Sequence, residues 1–150
     1  MTSRDDIETA DRLARMRAKL LPALAVIFIA QQGAHFMAGA EDGTRTVDLV
    51  RIGAWLFLSA ILLVLLVTGG ALFRRRNVRA LLDDDVTRAN RAQALRLGFI
   101  ATMIGGIVLY VITLFEPVSG REAIHLLMTI GIAGALIRFG HLERRALGND

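Results

Sequence analysis

The chain has 150 residues, of which 54% are hydrophobic, with a mean hydropathy of +0.50 and a net charge of +4. Because the sequence contains no cysteine, disulfides, thiolate metal sites and cysteine nucleophiles are excluded. The basic charge does not require direct contact with nucleic acid, since membrane orientation and anionic lipid account for it first.

Four apolar runs separate the charged segments and predict membrane-spanning helices. A hydrocarbon core about 30 Å thick needs about 20 helical residues, which is close to the length of each run. We therefore predict one all-α domain over residues 1–150, an integral membrane four-helix bundle. The predicted spans are about 20–40, 52–73, 97–115 and 123–140.

Residues 1–19 are predicted to form a cytoplasmic amphipathic helix. Apolar residues from Ile7 to Leu20 recur at helical spacing, with charged residues on the opposite face. Such a helix suits the inner leaflet or a partner protein, with Pro22 marking the bend into the membrane. The alternative is a solvated extension of the first span. A signal peptide cleaved after Ala40 is a further alternative, which the four acidic residues near the N-terminus disfavour.

The segment 74–96 is predicted to be a cytoplasmic loop that leads into an extension of the third helix. Three consecutive carboxylates suit a helix N-terminus, and arginines one turn later can pair with them. Consecutive helical residues point in different directions, so the aspartates predict no metal site. The projecting end is a candidate surface for a cytoplasmic protein partner, and the alternative is simply a capped, soluble helix end. The residues are Asp83, Asp84, Asp85, Arg88 and Arg91.

Polar residues inside the first and fourth spans are candidates for a ligand-binding site, because burial in lipid disfavours them. They are Gln31, Gln32, His35, His125 and Thr129. In an antiparallel bundle the two histidines reach similar depth, which predicts a polar core that senses a ligand or pH. The alternatives are a b-type haem or a metal held by both histidines, and plain hydrogen bonding between helices. We predict no bound metal and no cofactor, with haem b as the less favoured alternative.

Small residues at a spacing of four predict close helix packing in the second half of the chain. Such residues let backbones approach, which favours contact between the third and fourth helices or a homo-oligomer interface. The pairs are Ala101 and Gly105, Thr102 and Gly106, and Gly131 and Ala135.

Basic residues predict the orientation in the membrane. Fifteen of the eighteen lie in the N-terminal tail, in 74–96 and at the C-terminal end, against Arg45, Arg51 and Arg121 in the other two loops. Since loops rich in arginine and lysine stay in the cytoplasm, both termini are predicted to be cytoplasmic. Anionic headgroups of the bilayer are the expected partners of these cations.

Known catalytic motifs are absent from the sequence. The chain has no GxSxG, HExxH, Walker or GxGxxG pattern. The spans also contain no interior aspartate or glutamate, unlike the small four-helix drug exporters, which depend on a membrane-embedded glutamate. We therefore predict that the protein is not an enzyme.

The stretch LLDDDVTRANR at residues 81–91, which leads into Gly98-Phe99, and the closing LERR at 142–145 resemble small uncharacterised four-span proteins of the bacterial inner membrane. Similar proteins are often considered companions of helix-turn-helix regulators, so the resemblance implies an accessory or regulatory role and brings no catalytic residue. We predict a non-enzymatic inner-membrane protein that acts through protein contacts. The alternatives are a homo-oligomeric small transporter or channel, and a bis-histidine haem electron-transfer protein.

Overall fold

Four α-helices make up the described parts of the chain. The computed structural model describes the backbone of residues 4–37, 45–70 and 85–148. Within these ranges every regular element is a helix, which confirms the all-α prediction. The helices are α1 (Arg4–Met37), α2 (Arg45–Thr68), α3 (Asp85–Thr113) and α4 (Gly120–Leu147).

Three of the described helices are long and apolar enough to cross a membrane. They are α2 from Val50 onward, α3 and α4, and they correspond to the second, third and fourth predicted spans. The predicted first span, about 20–40, extends past Met37 into residues outside the described ranges, so its crossing of the membrane stays a prediction.

Helix α1 continues from the charged tail into the first apolar run. It contains Pro22, whose ring lacks an N–H group and normally disrupts a helix interior. Gly140 of α4 provides the space for this ring, because a Cβ atom there would lie 2.6 Å from Pro22 Cδ. The tail is therefore part of α1 from Arg4 onward, and its contact with a membrane surface stays a prediction.

Helix α4 is the central element of the described bundle. It packs along α1 and α3, whereas α2 makes smaller contacts with α4 and α3. The shared core includes Phe28 of α1, Leu62 and Leu66 of α2, and Leu136 and Phe139 of α4. Only 6% of the most apolar part of α3 is buried, against 44% for α4, so α3 lies at the periphery with apolar side chains facing outward.

Small residues allow α3 and α4 to approach closely. A Cβ atom on Gly98 would lie 2.6 Å from the Gly131 carbonyl oxygen, and one on Gly131 would overlap the Thr102 hydroxyl. That hydroxyl donates to the Gly98 carbonyl at 2.9 Å. This contact confirms the predicted packing of the third helix on the fourth. Gly98 is a further small residue in the contact, beyond the predicted pairs.

A capping box at Ser119 starts α4. Ser119 Oγ accepts from the Glu122 backbone N–H at 3.2 Å, and the Glu122 carboxylate accepts from the Ser119 N–H at 2.9 Å. Because the cap fixes the first residue of α4, it also fixes which face of the helix carries His125, less than two turns further on.

Candidate functional site

Four buried polar side chains from three helices lie near the beginning of α4. We call Gln32 of α1, Trp55 and Ser59 of α2, and His125 of α4 the His125 cluster. Trp55 and Ser59 are four residues apart and therefore share a face of α2. Each of the four is at most 5% exposed, and the neighbouring core is apolar.

Two contacts hold the imidazole of His125 in place. The ring stacks on the Trp55 indole, with centroids 3.8 Å apart and planes inclined by 11°. Its Nδ1 atom lies 3.4 Å from Gln32 Oε1, an oxygen that only accepts, so the hydrogen bond forms in the tautomer that carries a proton on Nδ1. The stack and this bond join α1, α2 and α4 through one side chain.

Three polar atoms of the cluster are buried and have no partner among the described residues. They are Gln32 Nε2, Trp55 Nε1 and Ser59 Oγ. A buried donor or acceptor left unsatisfied costs about 1–3 kcal/mol, so the three together cost a sizeable part of the net stability of a domain. The amide and the indole offer only N–H donors here, and the hydroxyl also donates. The cluster therefore contains three buried donors, each of which has no acceptor among the described residues.

The structure brings together two of the five predicted ligand-binding residues. Gln32 and His125 form the hydrogen bond described above. Gln31 is exposed, and the Thr129 hydroxyl donates to the His125 backbone carbonyl, at 2.7 Å, within its own helix. The side chain of His35 lies outside the described residues, so its proximity to His125 stays a prediction.

A second polar cluster joins all four helices at the opposite end of the bundle. Arg17 of α1 forms an ion pair with Glu143 of α4, with side chains 11% and 5% exposed. Arg17 also donates to the Thr87 hydroxyl of α3 and to the Gly69 carbonyl after α2, both at 3.1 Å. Glu143 accepts from the Asn90 amide of α3 at 3.1 Å. We call these five residues the Arg17 cluster.

The turn that ends α2 supplies the carbonyl for this cluster. Gly69 and Gly70 have φ angles of +63° and +76°, a left-handed conformation that residues with a Cβ atom rarely adopt. The turn directs the Gly69 carbonyl to the Arg17 guanidinium, which also lies 5.5 Å from the centre of the Phe139 ring. The buried charge is thus matched by a carboxylate, a carbonyl, a hydroxyl and an aromatic face.

The residues of the Arg17 cluster are not among the site residues predicted from the sequence. Arg17 and Glu143 are 126 positions apart and lie among other charged residues that flank the predicted spans. Trp55 and Ser59 were also missed, although their spacing of four residues within an apolar run is the sign of a shared polar face.

The predicted partner surface falls partly within the described residues. Asp85 is fully exposed and lies 3.5 Å from Nη1 of Arg88, which is also exposed. Arg91 is half-buried and approaches Gly69, since a Cβ atom there would lie 3.4 Å from Arg91 Nη1. Asp83 and Asp84 lie outside the described residues. Asp85 and Arg88 are therefore the described part of this surface that a partner can reach.

The fold defines the class of the protein: an all-helical bundle with three helices able to cross a membrane. In the part of the chain that the structure describes, no group of three histidine, aspartate or glutamate side chains is placed to hold a metal ion. Comparisons of the chain with protein-family models, with curated proteins and with solved structures find no match.

Proposed function

We propose that this chain is a non-enzymatic accessory or regulatory protein of a bacterial inner membrane that binds a small oxygen-bearing ligand in the His125 cluster. The observation that carries the proposal is the set of three buried donors on Gln32, Trp55 and Ser59 with no described acceptor. A carbonyl or carboxylate oxygen would accept from them, and in a low-dielectric interior such hydrogen bonds are strong.

The proposal includes four spans with both termini in the cytoplasm. The distribution of basic residues supports this orientation, since fifteen of eighteen flank the same ends of the apolar runs. In this orientation the His125 cluster lies in the outer half of the membrane. The Arg17 cluster lies at the cytoplasmic end, next to the exposed beginning of α3.

A bound ligand would act on the position of α2. This helix makes smaller contacts with the bundle than α4 makes with α1 and with α3. An acceptor shared by Trp55 and Gln32 would draw α2 toward α1. Because Arg17 bonds both Gly69 at the end of α2 and Thr87 in α3, a shift of α2 would reach the surface formed by Asp85 and Arg88. We propose that a cytoplasmic protein partner docks there.

Identification of molecules that copurify with the protein tests the ligand site. Wild-type protein and two variants, Gln32→Leu and Gln31→Leu, are purified in mild detergent and extracted for mass spectrometry. Gln31 is the matched control, because it is the same residue type one position away and is exposed. We expect a bound species in the wild type and in Gln31→Leu that is lost from Gln32→Leu. Equal amounts in all three preparations, or no species in any, would refute the ligand site.

Trp55 gives a second readout, because it is the one tryptophan of the chain and lies within the cluster. When the extracted species is added back to ligand-free protein, the fluorescence emission of Trp55 should change in the wild type and stay the same in Gln32→Leu.

The partner surface is tested separately by photo-crosslinking in native membranes from a probe at position 88. A probe at position 107, on the outward face of α3, is the control. If the probe at position 88 captures only lipid and other copies of this chain, a protein partner at this surface is refuted.

A further inference from the structure

A concavity of about 620 Å³ lies between α1 and α4, at the end of the bundle that contains the Arg17 cluster. It is separate from the His125 cluster, and none of its residues belongs to either polar cluster. Its lining residues are Arg15, Ala18, Lys19, Arg144, Leu147 and Gly148.

The guanidinium of Arg144 is held at this concavity by one hydrogen bond. Its Nε–H group donates to the Ala18 carbonyl at 3.0 Å, which joins α4 to α1. The terminal nitrogens of a guanidinium carry four further N–H donors, which remain available for another acceptor. Because this hydrogen bond already fixes the side chain, binding of a ligand to these donors costs little further side-chain conformational entropy.

Two exposed cations complete the concavity. Arg15 and Lys19 are four residues apart on α1 and therefore lie on one face of the helix, one turn from each other. The lining contains three basic side chains and no acidic one. The adjacent carboxylate of Glu143 accepts from Arg17 and Asn90 and so belongs to the Arg17 cluster instead. The concavity is thus a local concentration of positive charge.

The concavity lies where the charged part of the chain meets the apolar part. Lys19 directly precedes the apolar run that begins at Leu20, and Leu147 and Ala18 add apolar surface to the lining. At such a boundary a headgroup meets the cations while its acyl chains stay beside the apolar helices. A free anion would use only the charged part of this surface.

We propose that this concavity binds the phosphate of an anionic membrane lipid, held by the N–H groups of Arg144, Arg15 and Lys19. A phosphodiester has two oxygens that carry the charge, and guanidinium N–H pairs match them in geometry. The proposal does not depend on a ligand in the His125 cluster.

Binding of phosphatidylglycerol to the delipidated full-length protein in neutral detergent tests this site. Native mass spectrometry gives the dissociation constant of the first lipid bound, with phosphatidylcholine as the neutral lipid and sodium phosphate at equal ionic strength as the free anion. The site variant is Arg15→Gln/Lys19→Gln. These side chains are exposed, and neither makes an ion pair or a hydrogen bond within the described part of the chain, so the variant should fold. The control is Arg12→Gln/Arg145→Gln, which also removes two positive charges from exposed positions, one on each of the two helices that form the concavity, outside its lining.

We expect saturable binding of one phosphatidylglycerol to wild type, and about 25-fold weaker binding to the site variant, at roughly fivefold for each cation removed. The control variant should bind within about threefold of wild type, since exposed charges outside the site are screened by solvent. Arg144→Lys should also bind more weakly, because it keeps the charge and loses the guanidinium geometry.

Equal weakening in the site and control variants would overturn the proposal, because general attraction between the bundle and anionic lipid would then account for binding. Equal affinity for phosphatidylcholine would also overturn it. If millimolar sodium phosphate displaces the bound lipid as effectively as phosphatidylglycerol does, the concavity is a site for small anions. That result would overturn the assignment to lipid.

Discussion

Replacing Glu143 by glutamine removes one charge of the buried ion pair and keeps the shape of the side chain. The Glu143 side chain is 5% exposed and that of Arg17 is 11% exposed, so little water can replace the lost interaction. Breaking a buried pair from one side typically costs about 3–5 kcal/mol. The lower value, about 3 kcal/mol, applies here because the Gly69 carbonyl and the Thr87 hydroxyl still accept from the guanidinium.

The assay is reversible unfolding of the purified protein in mixed micelles with increasing fractions of SDS, followed by circular dichroism of the helices. Glu116→Gln is the matched control, because it makes the same chemical change at an exposed position in the turn between α3 and α4. It should change the free energy of unfolding by less than about 0.5 kcal/mol. The double variant Arg17→Met/Glu143→Leu leaves no unpaired charge, so its loss should be smaller than the sum of the two single losses by about 2 kcal/mol.

The reasoning fails if Glu143→Gln costs no more than Glu116→Gln. It also fails if the losses of Arg17→Met and Glu143→Leu add within about 0.3–0.5 kcal/mol, the range found for independent sites. Either result would show that the two side chains do not interact in the folded protein in detergent.

Gly131→Ala should lower the free energy of unfolding by about 1–3 kcal/mol in the same assay, because the added methyl overlaps α3. Gly134→Ala, whose nearest neighbouring atom would be 3.8 Å away, should change it little, and equal losses would contradict the close packing. Ser59→Ala should raise it by up to about 1 kcal/mol in ligand-free protein, since it removes a buried hydroxyl without a described partner. His125→Ala should shift the fluorescence emission of Trp55, and unchanged emission would contradict the ring stack.

The helices of the second half could be predicted because their apolar runs are long and charged residues mark their ends. The run at 97–115 lies in α3 as far as Thr113, where the helix ends, and the predicted extension of this helix toward the aspartates agrees with its beginning at Asp85. Gln32 and His125 could also be predicted as site residues. Placing a polar side chain in the apolar interior of a membrane costs free energy, so a polar residue within an apolar run indicates a specific role. The sequence alone does not state which helices lie next to each other, and the neighbours of these residues depend on that arrangement.

The Arg17 cluster shows why other residues could not be predicted. Near the ends of the spans, every arginine and glutamate is compatible with solvent and headgroups, so nothing in the sequence separates Arg17 from Arg15, or Glu143 from Glu122. Only the packing of α1 on α4 buries one member of each set. To select such a pair from the sequence, one must know how each helix is rotated about its own axis. The apolar pattern of a helix that is largely exposed to lipid does not fix this rotation.

The way α2 is held connects the two polar clusters. In a membrane, apolar burial adds little net free energy to helix association, so shape and polar contacts decide how a helix is placed. Both polar clusters contact α2: Trp55, near the middle of the helix, stacks on His125, and the carbonyl of Gly69, directly after the helix, accepts from Arg17. Between them, Leu62 packs in the apolar core. We propose that a ligand that rearranges the His125 cluster shifts α2 and thereby acts at the Gly69 turn, where Arg17 links the end of α2 to Thr87 of α3.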